Sequence, residues 1–272
     1  MSITLENKQC LMAGDGMLPV KMAQAAKENG FEVIAISLSS DNYKDLTKYC
    51  SKVLSFGFGQ ADSIKQALID ENIKQLTFLG KVSKTMLLKR PKLEPMAIEF
   101  LKEAPKLNDD AIMLKIVSLM EEIGITILDQ TIFIKSLMVQ KGVMTKTQPT
   151  ENQMQDVEYG YKIAKEMGNL DIGQSVVMKN KMIMAVEAIE GTDKCIKRGA
   201  KLARHGGAVV VKVAKPKQDK RFDIPTVGLK TLRVMKHYGA SVLALEAGET
   251  IIVNQEAMVK YADKNNMVIL AV

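Results

Sequence analysis

Aromatic side chains are scarce in this sequence, which has no tryptophan and only 5% phenylalanine and tyrosine. No run of basic residues is interleaved with aromatic residues on which bases could stack. Nucleic acid is therefore not expected as a partner. The formal net charge of +7 still favours anionic partners, such as phosphates, nucleotides or acidic lipid surfaces.

Cysteines are few, and membrane-spanning and targeting signals are missing. Cys10, Cys50 and Cys195 are odd in number and form no CxxC pair, which argues against a disulfide framework and against a zinc site. No apolar run is long enough to cross a bilayer, and the first residues lack the pattern of a signal peptide. We therefore expect a cytoplasmic protein.

Strand and helix patterns alternate along the first half of the chain. An apolar strand at residues 8–13 leads through a Gly-x-Gly turn into a helix that Gly30 ends, and a second apolar strand follows. Further strands at residues 52–56 and 76–79 continue the alternation. This order is typical of parallel strands joined by helices.

The second half of the chain has a strand–helix pattern of its own. Residues 142–149 contain Gly, Pro and several Thr with little apolar content, which is typical of a linker. We therefore predict an α/β protein in which an N-terminal Rossmann-like domain with a parallel sheet occupies residues 1–141. The linker at 142–149 then leads to a distinct C-terminal α/β domain at residues 150–272.

Two local signals support elements in the second half. Thr150-x-x-Gln153 resembles a capping box that opens a helix. Residues 179–181 separate two apolar runs and indicate a hairpin.

The Gly14-x-Gly16 turn at the start of the first helix admits two interpretations. Backbone N–H groups at a helix N-terminus favour an anion, so the turn is a candidate nucleotide-phosphate loop. A dinucleotide fingerprint would need a third Gly where Pro19 stands, and Asp41 is the only candidate for its acidic residue. The alternative is a tight structural turn.

Two acid-dense turns lie between residues 171 and 226. Carboxylates are costly to hold together unless a cation lies among them, so these turns suit a hard cation and a phosphate. The alternative is a pair of solvated loop ends. The carboxylates are Glu187, Glu190, Asp193, Asp219 and Asp223, and the neighbouring basic residues are Lys215, Lys217, Lys220 and Arg221.

Residues 81–92 combine an apolar centre, Met86-Leu87-Leu88, with flanking basic residues. Such a patch suits a membrane surface or an acylated, phosphorylated ligand. It equally suits a helix end with a solvated charged face.

Several sequence blocks together resemble one family. They are DIGQSVV (171–177), AVEAIEGTD (185–193), GGAVVVKVAKPKQD (206–219) and RFDIPTVG (221–228), with AGDGMLP, GKV, NDDAIM and GVMTKTQPT before them. In this order and spacing they resemble the signature blocks of the LpxI-type UDP-2,3-diacylglucosamine pyrophosphatases over essentially the whole chain. Asn108 departs from the pattern, since the family usually has Gly there.

The resemblance implies a Mg²⁺-dependent hydrolase of lipid A biosynthesis. Water would cleave the pyrophosphate of UDP-2,3-diacylglucosamine, giving lipid X and UMP. It also implies a homodimer, a lipid held between the two domains, and a cytoplasmic protein associated peripherally with the inner membrane. Two rival functions stay open: a nucleotide-cofactor oxidoreductase, and a non-enzymatic sensor of a nucleotide or lipid head group.

Candidate site residues follow from the resemblance together with the acid-dense turns. Asp223 matches the family's catalytic aspartate, and Asp193 and Lys215 are the other catalytic candidates. The predicted Mg²⁺ ligands are Asp223, Glu190, Asp193 and Asp219. The predicted substrate-binding residues are Gly14, Gly16, Gly80, Lys81, Gln174, Thr192, Arg221 and Thr226, with Lys215 and Arg221 clamping charge. His205 and His237 are expected at the surface and not as general bases.

Overall fold

The computed structural model describes residues 4–81, 93–103 and 109–272. The apolar centre of the predicted basic–apolar patch, residues 86–88, and Asn108 lie outside the described residues. The chain forms two compact units, Met1–Ile134 with Lys220–Phe222, and Lys135–Asp219 with Asp223–Val272. The predicted domain boundaries, 1–141 and 150–272, stay a prediction.

The first unit contains a parallel five-stranded sheet with the order β3-β2-β1-β4-β5. This arrangement confirms the predicted Rossmann-like parallel sheet. The strands are β1 (Lys8–Ala13), β2 (Glu32–Ser37), β3 (Lys52–Ser55), β4 (Gln75–Leu79) and β5 (Thr126–Ile127). The helices of its described residues are α1 (Leu18–Glu28), α2 (Tyr43–Leu46), α3 (Ala61–Asp70), α4 (Pro95–Glu103) and α5 (Asp109–Glu122).

Local sequence explains the opening of this unit. β1 and β2 are almost entirely buried, as expected for central strands of a parallel sheet with apolar residues on both faces. Pro19 lies in the first turn of α1, where a missing N–H costs nothing. Gly30 follows the end of α1 with a φ of +84°, a conformation that glycine adopts without strain.

The second unit contains a six-stranded sheet with the order β6-β13-β11-β9-β7-β8 and a two-stranded sheet of β10 and β12. The strands are β6 (Gly142–Val143), β7 (Ser175–Lys179), β8 (Met182–Val186), β9 (Ala208–Lys212), β10 (Thr226–Val227), β11 (Ala240–Leu245), β12 (Ile251–Ile252) and β13 (Val268–Ala271). The helices are α6 (Glu151–Asn169), α7 (Thr192–Leu202), α8 (Leu229–Tyr238) and α9 (Gln255–Lys264), with a 3₁₀ turn at Lys135–Leu137.

This larger sheet is covered on both faces. Val157 and Ala164 of α6 belong to the core on one face, and residues of α7, α8 and α9 belong to the core on the other. Alternate residues of β9 enter opposite cores, Val209 and Val211 on the α6 side and Val210 on the other. The second unit is therefore an α/β domain in its own right, as predicted.

Both local signals of the second half are confirmed. Thr150 and Gln153 form a capping box at the start of α6. β7 and β8 pair antiparallel as a hairpin around Asn180 and Lys181. At the start of the predicted linker, Gly142–Val143 pairs antiparallel with the last strand of the sheet.

The hairpin places β8 at the edge of the six-stranded sheet. Its residues Met182 and Ile183 are 57% and 44% exposed, whereas Ala185 is buried. The register between β7 and β8 shifts between Val177 and Met178. Within the described residues, no strand pairs with the outer side of β8.

The turn of this hairpin depends on a buried carboxylate. Asn180 and Lys181 have φ values of 50° and 62°, which disfavour ordinary side chains. Asp156 of α6 is only 3% exposed and accepts hydrogen bonds from their backbone N–H groups, at 2.9 and 2.5 Å. A helix side chain therefore holds the turn.

Removing this carboxylate is expected to destabilise the protein. Asp156→Ala leaves two backbone donors without their charged acceptor, which should lower the free energy of unfolding by about 2 kcal/mol. Urea denaturation measures the loss. As a control, Lys181→Gly removes the strained side chain and should leave stability unchanged or higher. An unchanged unfolding midpoint in Asp156→Ala would contradict this role.

Among the described residues, none of the helices is both long and apolar enough to cross a membrane.

Candidate active site

Three neighbouring strands of the second unit have their ends side by side at the same end of the six-stranded sheet. β8 and β9 end there, and β7, which is antiparallel to both, begins there. Ser175 at the start of β7 lies opposite Lys212 at the end of β9. α7 starts five residues beyond Glu187, which follows β8 directly. The topology therefore brings polar residues from distant parts of the chain together.

The hydroxyl group of Thr192 connects these residues. It donates its hydrogen to Glu187 Oε1 at 2.8 Å and accepts from Lys212 Nζ at 3.2 Å and Ser175 Oγ at 3.5 Å. A hydroxyl has one hydrogen to donate and two lone pairs to accept with, so all three are used. The predicted role of Thr192 was binding phosphate with this hydroxyl. In this arrangement its hydrogen is directed to Glu187.

Lys212 is a buried cation, with only 8% of its surface exposed. Burial lowers the pKa of its amine, and the negative charges of Glu187, Asp193 and Asp223 act in the opposite direction. Its other hydrogen bond runs to the backbone oxygen of Thr226 and is long, at 3.5 Å. The charges of three carboxylates thus act on Lys212, while its own hydrogen bonds run to Thr192 and Thr226.

Two buried oxygen atoms near these strand ends have no hydrogen-bond partner within the described part of the chain. They are Glu187 Oε2 and Gln174 Oε1. The backbone of Gln174 is anchored, because its carbonyl accepts from Val213 N at 3.0 Å. Buried polar atoms are normally satisfied, so these two acceptors are available to a hydrogen-bond donor of a bound molecule.

Asp223 is held within a small polar network. Its Oδ2 accepts from Gln218 Nε2 at 2.5 Å and lies 4.0 Å from Lys215 Nζ. Lys215 Nζ is also 2.7 Å from Asp171 Oδ1, and its backbone N–H donates to Gln218 Oε1 at 2.7 Å. The predicted catalytic pair Asp223 and Lys215 is therefore brought together. The side chain of Asp223 is 38% exposed, so solvent reaches it.

The predicted magnesium ligands are not gathered into one group. Glu190 pairs with Arg198, whose hydrogen bond lowers the pKa of that carboxyl. Asp193 pairs with Lys230 at 2.8 Å, and the backbone carbonyl of Asp219 accepts from Asp223 N at 3.0 Å. Among the described residues, no three His, Cys, Asp or Glu side chains form a metal-binding group. The four carboxylates are therefore not gathered into one group, and their role as magnesium ligands stays a prediction.

Arg221 lies in the short segment that belongs to the first unit. There its Nη1 is 3.2 Å from Glu121 Oε1, and the adjacent Phe222 packs on the apolar core of that unit. The hydroxyl of Thr226 donates to Ile224 O at 3.2 Å. The predicted substrate contacts of Arg221 and Thr226 stay predictions.

In the first unit, Gly14 and Gly80 are required by a close backbone crossing. Gly14 N donates to Leu79 O, and Asp15 and Lys81 exchange two backbone hydrogen bonds of 2.8 and 3.0 Å. A Cβ atom on Gly14 would lie 2.8 Å from Lys81 O, and one on Gly80 would lie 2.7 Å from Gly14 C. This supports the tight structural turn for Gly14.

The remaining first-unit candidates have different surroundings. A Cβ atom on Gly16 would meet nothing within 4 Å, although its φ of +98° favours glycine. The side chain of Lys81 is exposed. Asn42 is buried and donates to the carbonyls of Gly14 and Gly16, at 2.6 and 3.2 Å. This contact shapes the loop and was not predicted.

Sequence reasoning missed two members of the second-unit site. Lys212 and Ser175 were not among the candidates, and Glu187 was named with the carboxylates of the acid-dense turns but not among the predicted Mg²⁺ ligands. The signal for Lys212 was a lysine that closes an otherwise apolar strand, AVVVK. The two histidines, His205 and His237, are exposed as expected.

Comparison with known proteins matches both halves of the chain. The LpxI N-terminal domain model matches residues 8–137, and the LpxI C-terminal domain model matches residues 140–270. A relative from Caulobacter vibrioides, named UDP-2,3-diacylglucosamine pyrophosphatase LpxI, is 31% identical over an alignment of 277 positions that covers 96% of each chain. The chain belongs to the LpxI family. The family assignment made from the sequence blocks is confirmed, and the buried Lys212 lies in the LpxI C-terminal domain.

Proposed function

We propose that this LpxI family protein hydrolyses the pyrophosphate bond of UDP-2,3-diacylglucosamine to lipid X and UMP, a step of lipid A biosynthesis. The observation that carries the proposal is the similarity to the Caulobacter relative, which extends over 96% of both chains. Both domain models match in order, so the similarity includes the residues of the candidate site.

The site chemistry supports a hydrolysis of this kind. Attack of water on a phosphorus atom requires a group that orients the water and cations that stabilise the charged phosphoryl oxygens. Asp223 is partly exposed beside Lys215, so its carboxylate suits the first role and the lysine the second. A carboxylate that accepts a hydrogen bond from water also directs the water's lone pair toward phosphorus.

Dependence on Mg²⁺ is part of the proposal. Mg²⁺ usually binds through one or two carboxylates together with substrate phosphates and water, so it does not need a cluster of four protein ligands. Asp223 would be the protein ligand, since its side chain is 38% exposed, against 32% for Asp193 and 25% for Glu190. The ion would neutralise charge on the phosphate oxygens.

The proposal also includes a homodimer associated peripherally with the inner-membrane surface. A diacylated substrate resides in a membrane, and the net positive charge of +7 favours an anionic lipid surface. Flotation with anionic vesicles tests the membrane association, and light scattering of the purified protein tests the dimer.

The first test is hydrolysis of UDP-2,3-diacylglucosamine by the purified protein, with Mg²⁺ or with EDTA. We expect lipid X and UMP only in the presence of Mg²⁺, measured by mass spectrometry. Equal turnover in EDTA would contradict the metal dependence. If no UDP-linked lipid is hydrolysed under either condition, the hydrolase proposal fails and the sensor is favoured. Tight NAD binding would favour the oxidoreductase.

The phosphorus atom attacked is proposed to be the one attached to the sugar. Attack there expels UMP, so solvent oxygen ends in lipid X, whereas attack on the uridine-side phosphorus would place it in UMP. The reaction run in ¹⁸O-labelled water distinguishes the two routes, which give the same products. Label in UMP would overturn this assignment and leave the hydrolase proposal intact.

A further inference from the structure

Lys212 has weak partners for a buried ammonium group. Its Nζ atom carries three hydrogens, and its hydrogen bonds are the contacts to Thr192 Oγ1 at 3.2 Å and Thr226 O at 3.5 Å. Among the ion pairs of the described residues, none includes Lys212. Burying an ammonium group without strong partners costs free energy, so we expect Lys212 to make a further contact when a ligand is bound.

The neighbouring helix end provides a second observation. α7 begins at Thr192 after Gly191, and no side chain caps its first turn. The N–H groups of an uncapped first turn and the helix dipole both favour an anion. Lys212 donates a hydrogen bond to Thr192, the first residue of α7. Its ammonium group and the backbone N–H groups of the first turn of α7 therefore lie close together.

A negatively charged ligand would suit this place despite the carboxylates nearby. Glu187 is held by the Thr192 hydroxyl at 2.8 Å and Asp193 pairs with Lys230. Asp193 therefore has its own partner, and the Oε1 atom of Glu187 holds the Thr192 hydroxyl so that the lone pairs of that hydroxyl face Lys212. The ammonium group of Lys212 is therefore oriented by its hydrogen bond to Thr192, and no ion pair of the described residues includes it.

We propose that Lys212 is a further catalytic residue that binds a phosphoryl oxygen of the pyrophosphate, and that Glu187 and Thr192 are positioning residues that hold it. This inference rests on the proposed hydrolase function. No bond to Lys212 forms or breaks: its ammonium group donates a hydrogen bond to the oxygen on which negative charge grows. Such a donor acts most strongly in a buried site, where water does not screen it.

The main test replaces Lys212 with methionine, which keeps the length of the side chain and removes the charge. Loss of a donor to a reacting phosphoryl group should lower kcat about a hundredfold. The melting temperature should stay the same or rise, because an apolar side chain avoids the cost of the buried ammonium. A purely structural lysine would give the opposite pattern, a lower melting temperature with turnover retained.

Two further variants serve as comparisons. Lys162→Met removes an exposed lysine of α6 that pairs with Glu158 and should change neither turnover nor melting temperature. Thr192→Val removes the hydroxyl that positions Lys212 and should lower kcat by a smaller factor, with KM little changed. If Lys212→Met does not fold, Lys212→Gln is measured in its place.

A binding measurement separates this inference from the proposed function. Inorganic pyrophosphate should raise the melting temperature of the wild type and not that of Lys212→Met, whatever the physiological reaction is. If the wild type fails to hydrolyse the lipid but shows this shift, the hydrolase proposal fails and the anion site stands. Turnover of Lys212→Met within threefold of wild type, or an equal shift in both proteins, would overturn the role of Lys212. Absence of both turnover and shift in the wild type would overturn it as well.

Discussion

Replacing Asp223 with alanine is expected to abolish nearly all turnover while leaving the fold intact. If this carboxylate orients the attacking water or holds the metal, its loss should cost about 4 kcal/mol of transition-state stabilisation, roughly a thousandfold in rate. Steady-state hydrolysis of UDP-2,3-diacylglucosamine measures the loss, and circular dichroism measures the fold.

The structure explains why the fold should survive this change. Asp223 is 38% exposed, and its carboxylate contacts Gln218 and Lys215, which are side chains of the same loop. The loop keeps its backbone hydrogen bond between Asp223 N and Asp219 O when the side chain is shortened. The two residues that follow, Ile224 and Pro225, restrict its conformation further, because the residue before a proline is confined to extended shapes.

A matched control for Asp223→Ala is Asp45→Ala. Asp45 is an aspartate of the first unit whose carboxylate pairs with the exposed Lys48 at 2.6 Å. Its loss should change neither rate nor stability measurably, since exposed ion pairs contribute little. Wild-type turnover in a folded Asp223→Ala protein would remove Asp223 from the mechanism.

Replacing Gly173 with alanine is expected to damage both stability and activity. A Cβ atom at this position would lie 2.2 Å from the backbone oxygen of Glu187 and 2.7 Å from its carbonyl carbon. Backbone atoms cannot rotate away as a side chain can, so the chain at Glu187 must move. We expect the free energy of unfolding to fall by about 3 kcal/mol. The displaced Glu187 should also lower kcat, because it positions Thr192 and Lys212.

Gly228→Ala is the matched control for this substitution. Gly173 lies just before β7 and Gly228 just before α8, but a Cβ atom at Gly228 would meet nothing within 4 Å, and its φ is −148°. Urea denaturation and turnover should therefore match the wild type. A Gly173→Ala protein with the stability of Gly228→Ala would show that the chain absorbs the extra atom, contrary to the close packing described above.

Local signals in the sequence were sufficient for much of the fold. The helix stop at Gly30 and the capping box at Thr150 each depend on neighbouring residues, so the local sequence contains their cause. The hairpin around Asn180 also has a local signal, although Asp156 of α6 holds its turn. The alternation of strands and helices similarly predicts a parallel sheet. Strand order depends on distant contacts, and the antiparallel pairing of β7 with β9 was not predicted.

The candidate site was predictable only where its residues are neighbours in sequence. Lys215 and Asp223 lie in one loop, and the sequence block around them was recognised. Lys212 meets Ser175 only because two strands 37 positions apart pair in a particular register, which no local pattern reveals. The predicted magnesium ligands are not gathered into one group, because Glu190 pairs with Arg198 of the following helix, α7, and Asp193 pairs with Lys230 of α8.

The exposed edge strand β8 has a consequence for handling the protein in concentrated solution. An open edge with Met182 and Ile183 facing solvent can add a strand from another molecule, which is a route to precipitation. Lysine at either of these two positions would discourage that route, because charge on an edge strand repels a second copy. Ala185 is buried and Glu187 belongs to the candidate site, so solubility is best improved at Met182 or Ile183.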